Sequence, residues 1–310
     1  MVDISIIIVN YNTREHLLKC LEAVSRQDKG LSCQVLVVDN GSTDGSADAL
    51  RKSYPSAAII RNEHNEGFAR AVNQGLKQSA DARYCLILNP DAVISDNYLK
   101  GLAGFMDKNP RAAVVTGQLL NQDGSRQHSF DNIPSIWSEL VGKSLLRILF
   151  PKRYPSKRQE YAEPIEVESV IGAAMVVRRE SIKEAGLLDE EFFLFLEETD
   201  WCYRMRQKGW QVYFVPEFSA VHLQGQAKKN ILLKAKIEYL NSLYKFYRKH
   251  YSLAGYLLLR IIKPIKIAIG LVLSIIGVVL TLGLVKKLRE RWLVYLVLLW
   301  WHLKMCSPRT

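Results

Sequence analysis

The sequence predicts an α/β fold, a largely parallel sheet with helices on both faces, followed by a helical tail of different composition. Short apolar runs alternate with segments of helical period as far as Leu88, and each run stops at a polar cluster. The excess positive charge is confined to the tail.

Residues 4–9 read as the first strand, and Leu17, Leu18, Leu21 and Val24 mark one face of a helix over 13–27. The second strand, 35–38, ends at Asp39-Asn40-Gly41-Ser42-Thr43-Asp44. Gly41 supplies a φ > 0 position there, and Ser42 or Thr43 an N-cap for a helix through Leu50. A third strand is expected at 57–60, a third helix at 67–78 and a fourth strand at 84–88. Cys85 to Leu88 is an unbroken apolar run of the kind buried on both faces, and Pro90 cannot donate to a ladder, so the strand ends there. Right-handed crossovers then put all four strand ends on one side, and Asn10, Asp39, Arg61 and Asp91 line that rim. The carboxyl edge of an open α/β sheet is where ligands bind. A plainer reading makes Asp91 the cap of a helix beginning near Ser95.

Asn10-Tyr11-Asn12-Thr13-Arg14 follows the first strand where a dinucleotide-binding oxidoreductase would carry its glycine fingerprint, which argues against that class. Tyr11 offers an aromatic face to a base, and Asp39 an acceptor for an imide N–H or a ribose hydroxyl. Taken singly, Tyr11 could be core and Asp39 a turn residue. Residues 117–164 show a looser pattern, with a turn at Asn121-Gln-Asp-Gly124 and prolines punctuating a basic, Tyr-containing stretch, read as an acceptor-side insertion. Strand character returns over 167–177, where Gly172-Ala173-Ala174 either leaves room for a sugar or forms a small-residue packing strip. Glu197, Glu198 and Asp200 open a helix over 199–208. Acids in a first turn ordinarily serve the helix dipole, but the preceding Phe192-Phe-Leu-Phe-Leu196 can desolvate a carboxylate and raise its proton affinity, as a general base requires. His222 closes a strand over 218–223.

The net charge of +11 divides unevenly. From Gln226 onward there are sixteen Lys and Arg against two Glu, a net of +14, while the first 225 residues carry a net of −3. This argues against a nucleic-acid surface on the main domain and pairs the tail with an anionic membrane surface. Five scattered cysteines without metal-ligand spacing suit a reducing compartment, and Asp3 followed at once by a strand leaves no leader, so the main domain is expected in the cytosol.

Seven motifs, in order, resemble glycosyltransferase family 2 and its bacterial rhamnosyltransferase-like branch. They are Val9-Asn-Tyr-Asn12, Val37-Val-Asp-Asn-Gly-Ser-Thr-Asp-Gly45, Asn65-Glu-Gly-Phe-Ala69, Leu88-Asn-Pro-Asp91, Gly172-Ala-Ala-Met-Val-Val-Arg-Arg-Glu180, the acidic-aromatic stretch from Asp189 to Asp200, and Val215-Pro-Glu to His222. The resemblance implies a GT-A fold, with a nucleotide-sugar-binding half at 1–116 and an acceptor-binding, catalytic half at 117–225. It further implies inversion at the anomeric carbon and a divalent cation, Mg²⁺ or Mn²⁺. By the same resemblance Tyr11 and Asp39 hold the base, with Asn10 and Arg70 nearby. Asp91 and His222 bind the metal, and Asn89 stands where the family's first Asp would be. Glu198 of the Glu197–Glu198 pair is the base, where the family generally has Asp.

In the tail, 226–310, residues 228–249 read as a basic helix. Arg260, Lys263 and Lys266 then form a basic amphipathic face, 267–285 carries no charge, and Trp292, Trp300 and Trp301 suit a membrane interface. An interfacial or re-entrant helical hairpin on the cytoplasmic face of the plasma membrane fits best. Leu288-Arg-Glu-Arg-Trp292 lacks the Gln of the processive synthases' Gln-x-x-Arg-Trp motif, so addition of a single sugar is expected. The expected substrates are a nucleoside diphosphate sugar, with dTDP-rhamnose as the leading donor by resemblance, and a glycan or polyprenyl-linked acceptor. The alternatives are a catalytically degenerate nucleotide-sugar-binding or scaffold protein, suggested by Asn89 and Glu198, and a processive synthase.

Overall fold

A computed structural model of the chain describes residues 2–27, 30–79, 81–151, 153–156, 159–223 and 229–306. The elements are β1 (Ile4–Asn10), α1 (Arg14–Ser25), β2 (Cys33–Asp39), α2 (Ser46–Ser53), β3 (Ala58–Arg61), α3 (Phe68–Gln78), β4 (Tyr84–Leu88), β5 (Ala92–Ile94), α4 (Tyr98–Lys108), β6 (Ala112–Leu120) and β7 (Phe130–Asp131). Then follow α5 (Ile136–Leu140), α6 (Lys143–Leu149), β8 (Ile165–Glu166), β9 (Ser169–Val170), β10 (Ala174–Arg178), α7 (Arg179–Ala185), α8 (Glu197–Gln207), β11 (Gln211–His222), α9 (Lys229–His250), α10 (Leu253–Leu280) and α11 (Lys286–Cys306). They form two compact units, Met1–Ile133 with Pro151–Gln226, and Pro134–Phe150 with Ala227–Thr310. The boundary expected at 225/226, and Lys228 at the start of the expected basic helix, lie outside the described residues.

In the first unit β1 and β4 are buried at every position, which is why they read as continuous apolar runs. Among the described residues the sheet runs β3-β2-β1-β4-β10-β6-β11-β5, with β8 added on β11. The four strands read from the sequence are parallel, as expected. Beyond them the sheet is mixed. β10 lies antiparallel between β4 and β6, so its first residue, Ala174, sits opposite Leu88 at the carboxyl edge. Helices cover both faces. Leu17, Leu21, Leu50 and Leu99 pack with Ile6, Ile8 and Leu86 on one, and Val72, Leu76, Ile182 and Trp201 with Ile7 and Ile87 on the other.

Two local expectations change. The first N–H of α2 is bonded by Asp44 Oδ1, 3.0 Å from Ser46 N, because the Ser42 hydroxyl turns instead toward Asn10 and the backbone of Asn12. Asp91 caps no helix: β5 intervenes, α4 starts after Asn97 without a side-chain cap, and the Asp91 carbonyl accepts the Leu223 N–H.

The acidic-aromatic loop before α8 is tied to the start of α3. Phe68 N–H donates to the Phe193 carbonyl at 3.1 Å, and Gly67, at φ +86°, leaves no room for a Cβ, which would stand 2.8 Å from the Phe193 ring.

The second unit is helical. α10 runs unbroken through Pro264, so the basic positions Arg260, Lys263 and Lys266 share one helix with residues 267–280 of the uncharged run, whose last five residues form the turn to α11. It is long and apolar enough to cross a membrane by length and composition, with a mean hydropathy of 2.1 over a window only 17% buried. α11 returns antiparallel along it, Tyr295 facing Gly270 and Leu288 facing Gly277. The Pro-punctuated stretch 117–164 divides between the units. Pro134–Phe150 folds with the tail helices, where the Tyr251 hydroxyl donates to the Pro134 carbonyl at 2.7 Å and Lys263 Nζ meets Glu139 Oε2 at 2.5 Å.

Gly67→Ala adds both a left-handed strain and a clash with Phe193, so it should destabilise the first unit by about 1–3 kcal/mol. Thermal denaturation checks this, and an unchanged Tm would show that the Phe193 loop is not held by this contact.

Candidate functional site

The carboxyl edge of the sheet gathers most of the expected residues. Asn10 and Asp39 end adjacent parallel strands in register, and both are buried. Asn10 Nδ2 donates to Asp39 Oδ2 at 3.1 Å and to Ser42 Oγ at 3.0 Å, while Thr13 Oγ1 donates to Asn10 Oδ1 at 2.7 Å. Asp39 Oδ1 also accepts the Ser42 N–H, so the carboxylate is fixed by two donors and keeps lone pairs for a ligand. Tyr11, one residue past β1, is 47% exposed at the rim, which is not a core position. Asn40 extends the network to Asn62, Asn65 and Gly67, holding the loops at this edge without any charge.

At the end of β4, Asn89 N–H donates to the Ala173 carbonyl at 2.8 Å, which joins the Asn89-Pro90-Asp91 turn to the segment before β10. His222, at the end of β11, pairs with Ala92 across β5. Its Nε2 lies 3.4 Å from Asp91 Oδ1 and 3.4 Å from Asn89 Nδ2. Its other ring nitrogen, Nδ1, lies 3.2 Å from Gln127 Oε1. Gln127 Nε2 reaches the His222 carbonyl at 2.5 Å and Asn121 Oδ1 at 2.8 Å. A carbonyl can only accept, so the Gln127 amide turns its NH₂ that way and its oxygen toward Nδ1. Nδ1 therefore carries a proton, and Nε2 is the ring nitrogen that faces Asp91.

A carboxylate oxygen and an imidazole nitrogen facing each other at 3.4 Å are ligand types that suit a divalent cation. Among the described residues no group of three or more His, Cys, Asp or Glu could hold a metal. A cation here would take two protein ligands and draw the others from a diphosphate and water, the pattern of Mg²⁺ sites that serve phosphate substrates. Cys20 lies beneath the turn, its thiol directed at the Asn89 carbonyl. Burial and then the Asp91 carboxylate push its pKa up, so it stays a thiol.

Phe195 and Leu196, both left-handed at φ 68° and 65°, turn the chain sharply into α8. Such conformations are costly for bulky residues and cluster at functional sites. They set Glu198 in the first turn against Gly172, whose Cα would carry a Cβ 3.6 Å from that of Glu198. Glu198 Oε2 is buried with no hydrogen-bond partner. Its pKa is raised to about 7, first by burial and further by the Asp131 carboxylate, against the opposing N–H groups of Glu198, Thr199 and Gly172. Gly172-Ala173 thus touches the Asn89 turn through one residue and the Glu198 carboxyl through the other.

The remaining expected residues are placed differently. Arg70, on α3, bridges Glu66 at 2.6 Å and Glu190 at 3.1 Å, so its charge is already paired. Glu197 is buried beside Glu198. Asp200 belongs to the scaffold, fully buried against Arg204 at 2.8 Å, while Arg204 also binds the Ala185 and Leu187 carbonyls. Sequence reasoning missed Gln127 and Asp131. A signal existed for Gln127: the turn at 121–124 folds the chain back on β6, so that Gln127 N–H donates to the Leu119 carbonyl at the same sheet edge.

Solved structures with this architecture give the fold class. The mannosyltransferase PcManGT from Pyrobaculum calidifontis, in complex with GDP-Man and Mn²⁺, matches with a TM-score of 0.59 at 15% identity, over 96% of this chain and 87% of that one. GalNAc-T7 with UDP, GalNAc and Mn²⁺ matches with a TM-score of 0.56 at 17% identity, over 80% and 50%. The fold is mixed α/β and GT-A-like. The family model of Glycosyl transferase family 2 matches residues 5–186, and the chain belongs to that family. Its relatives include the N-acetylglucosaminyl-diphospho-decaprenol L-rhamnosyltransferase of Mycobacterium tuberculosis, 29% identical over 70% of this chain and 75% of that one. The dTDP-rhamnosyl transferase RfbF of Shigella flexneri is 28% identical over 74% and 72%, and the rhamnosyltransferase WbbL of Escherichia coli K12 is 24% identical over 78% and 91%. The protein is a rhamnosyltransferase-like glycosyltransferase.

The amide of Gln127 generates a prediction independent of turnover. Nitrogen NMR of the histidines should show His222 with its proton on Nδ1, and Gln127→Leu should release that preference. A dominant Nε2–H form in the unaltered chain would contradict the assignment.

Proposed function

We propose that the chain transfers one sugar, with inversion, from a nucleoside diphosphate donor to a hydroxyl of a glycan or polyprenyl-linked acceptor in cell-surface polysaccharide synthesis. The observation that carries this reading is the Gly172-Ala173 bridge, which brings a proton-accepting carboxyl, Glu198, next to the turn that bears Asp91 and faces His222. The donor that the relatives' names favour is dTDP-rhamnose. In this reading residues 1–116 bind the donor and 117–225, apart from the helical insertion, bind the acceptor.

Tyr11 stacks on the base and Asp39 accepts from its imide N–H or from the ribose, with Asn10 fixing the Asp39 carboxylate. Arg70 takes part only if a ligand displaces Glu66 or Glu190. Asp91 and His222 would hold Mg²⁺ or Mn²⁺, which would supply charge neutralisation for the departing diphosphate. Asn89 contributes an amide, already aimed at His222, in place of a second carboxylate. Glu198 takes the acceptor's hydroxyl proton as the oxygen bonds to the anomeric carbon. The bond from that carbon to the diphosphate breaks with its electron pair leaving on the phosphate oxygen, through an oxocarbenium-like transition state. Attachment to the cytoplasmic face of the plasma membrane, through α10 and α11, brings this chemistry to a lipid-linked acceptor.

A donor screen read as nucleoside diphosphate release, with and without Mn²⁺, tests the reading. Turnover with dTDP-rhamnose is expected, whereas binding without turnover across donors and acceptors would favour a degenerate binding or scaffold protein. Glu198→Gln should keep donor affinity and lose at least ~10²-fold in kcat. Because its pKa is raised, the carboxyl is protonated below about pH 7, so kcat should climb as pH rises through that value and the dependence should vanish in Glu198→Gln. A crippled Glu197→Gln beside a healthy Glu198→Gln would move the base by one residue. Asp91→Asn should weaken Mn²⁺-dependent binding of the nucleoside diphosphate in calorimetry, and unchanged dependence would remove Asp91 from the cation site.

A further inference from the structure

The helical insertion Pro134–Phe150 carries an unusual surface. Its two short helices expose large apolar side chains, with Trp137 66%, Ile148 76% and Phe150 57% exposed and Leu145 and Leu149 beside them. So dense a patch in so short a segment marks an interaction surface. Its charge has one sign. Lys143 and Arg147 are interleaved with the apolar positions of α6, and Glu139 is the one acid between residues 134 and 150. That acid is turned inward, its carboxylate on Lys263 Nζ at 2.5 Å and its carbonyl accepting from Lys266 Nζ. The surface left outward is therefore apolar, with the half-buried Lys143 and Arg147 among its side chains.

What covers such a face follows from its company. The insertion belongs to the same compact unit as α10, an apolar helix that a soluble core would have buried and that is left largely uncovered. The Tyr251 hydroxyl and Lys263 tie the insertion to that unit at both ends of α5. Apolar side chains with Lys and Arg among them complement the acyl boundary and headgroups of an anionic leaflet. We propose that α5 and α6 form a second membrane contact, an interfacial foot that dips Trp137, Ile148, Leu149 and Phe150 into an anionic bilayer surface. The foot is continuous with the α10–α11 hairpin although some eighty residues of chain separate α6 from α9. It rests on the membrane attachment proposed above and adds a site remote from the tail in sequence. Since the insertion leaves the first unit at Ile133 and returns to it at Pro151, the foot tethers the catalytic unit to the bilayer at two further points of its chain.

Depth-resolved fluorescence on the full chain tests this. With Cys33 and Cys306 replaced by serine, single cysteines at Ile148, at Val279 on α10 and at Asp48 on α2 are labelled with an environment-sensitive dye. Each chain is mixed with vesicles of phosphatidylethanolamine and phosphatidylglycerol containing lipid spin-labelled near the headgroup. The dye at position 148 should shift to the blue and lose emission to the spin label, the dye at 48 should do neither, and phosphatidylcholine vesicles should give a smaller response at 148. Quenching at 279 with none at 148 would overturn the foot and leave the tail attachment standing. Quenching at neither would overturn both. An equal response at 148 in phosphatidylcholine would refute the anionic preference. A blue shift at 148 without vesicles, growing with protein concentration, would assign the face to a second copy of the chain instead.

Discussion

A strand buried on both faces can hold neither an ionised carboxylate nor a proline in its interior, and the arrangement of this protein's chemistry depends on that constraint. β1 and β4 have no exposed position, so polar side chains are driven to their ends, and because these strands are parallel the ends share one edge. Adjacent strands lie about 4.8 Å apart, which brings Asn10, the Asn89 turn and Ala173 within roughly 10 Å. The antiparallel β10 matters most here, because it starts where the parallel strands finish. The backbone bond from Asn89 to Ala173 then links the Asn89-Pro90-Asp91 turn to the segment facing Glu198.

Glu198 shows two opposing effects on one carboxyl. A helix N-terminus favours the charged form by typically 0.3–1 kcal/mol. Burial favours the neutral form, and a rise from 4.5 to about 7 corresponds to roughly 3 kcal/mol, so burial prevails. The left-handed Phe195 and Leu196 are the local cost of that placement. Asp200, two residues on, faces Arg204 and stays in the scaffold. Acids two residues apart in one turn therefore meet different surroundings, Glu198 against Gly172 and Asp200 against Arg204.

The helical unit is discontinuous in sequence, and Glu139 is one of the polar ties that join its two parts. Glu139 gives its carboxylate to Lys263 and its carbonyl to Lys266, which consumes the insertion's negative charge inside the unit. Two residues that the sequence presents as part of a basic face on α10 are thus partly internal. Small residues on α10 admit the return helix, Gly270 under the Tyr295 ring and Gly277 under Leu288, so the hairpin closes by backbone approach.

The sequence by itself determined the four parallel strands, the helices between them, the rim positions of Asn10, Asp39 and Asp91, and the composition break at the tail. These are local signals: period, turn chemistry and a proline that stops a strand. Tertiary structure alone decided that Gln127 orients His222, that Asp131 stands near Glu198, and that Arg70 reaches Glu190. It also decided that Pro134–Phe150 folds with helices far along the chain. Each of these joins residues distant in sequence, whose meeting depends on how β6, β10 and β11 cross the sheet or on which helix buries Glu139. No period or spacing within a single stretch encodes that, because the contacts form only once the intervening chain has been placed.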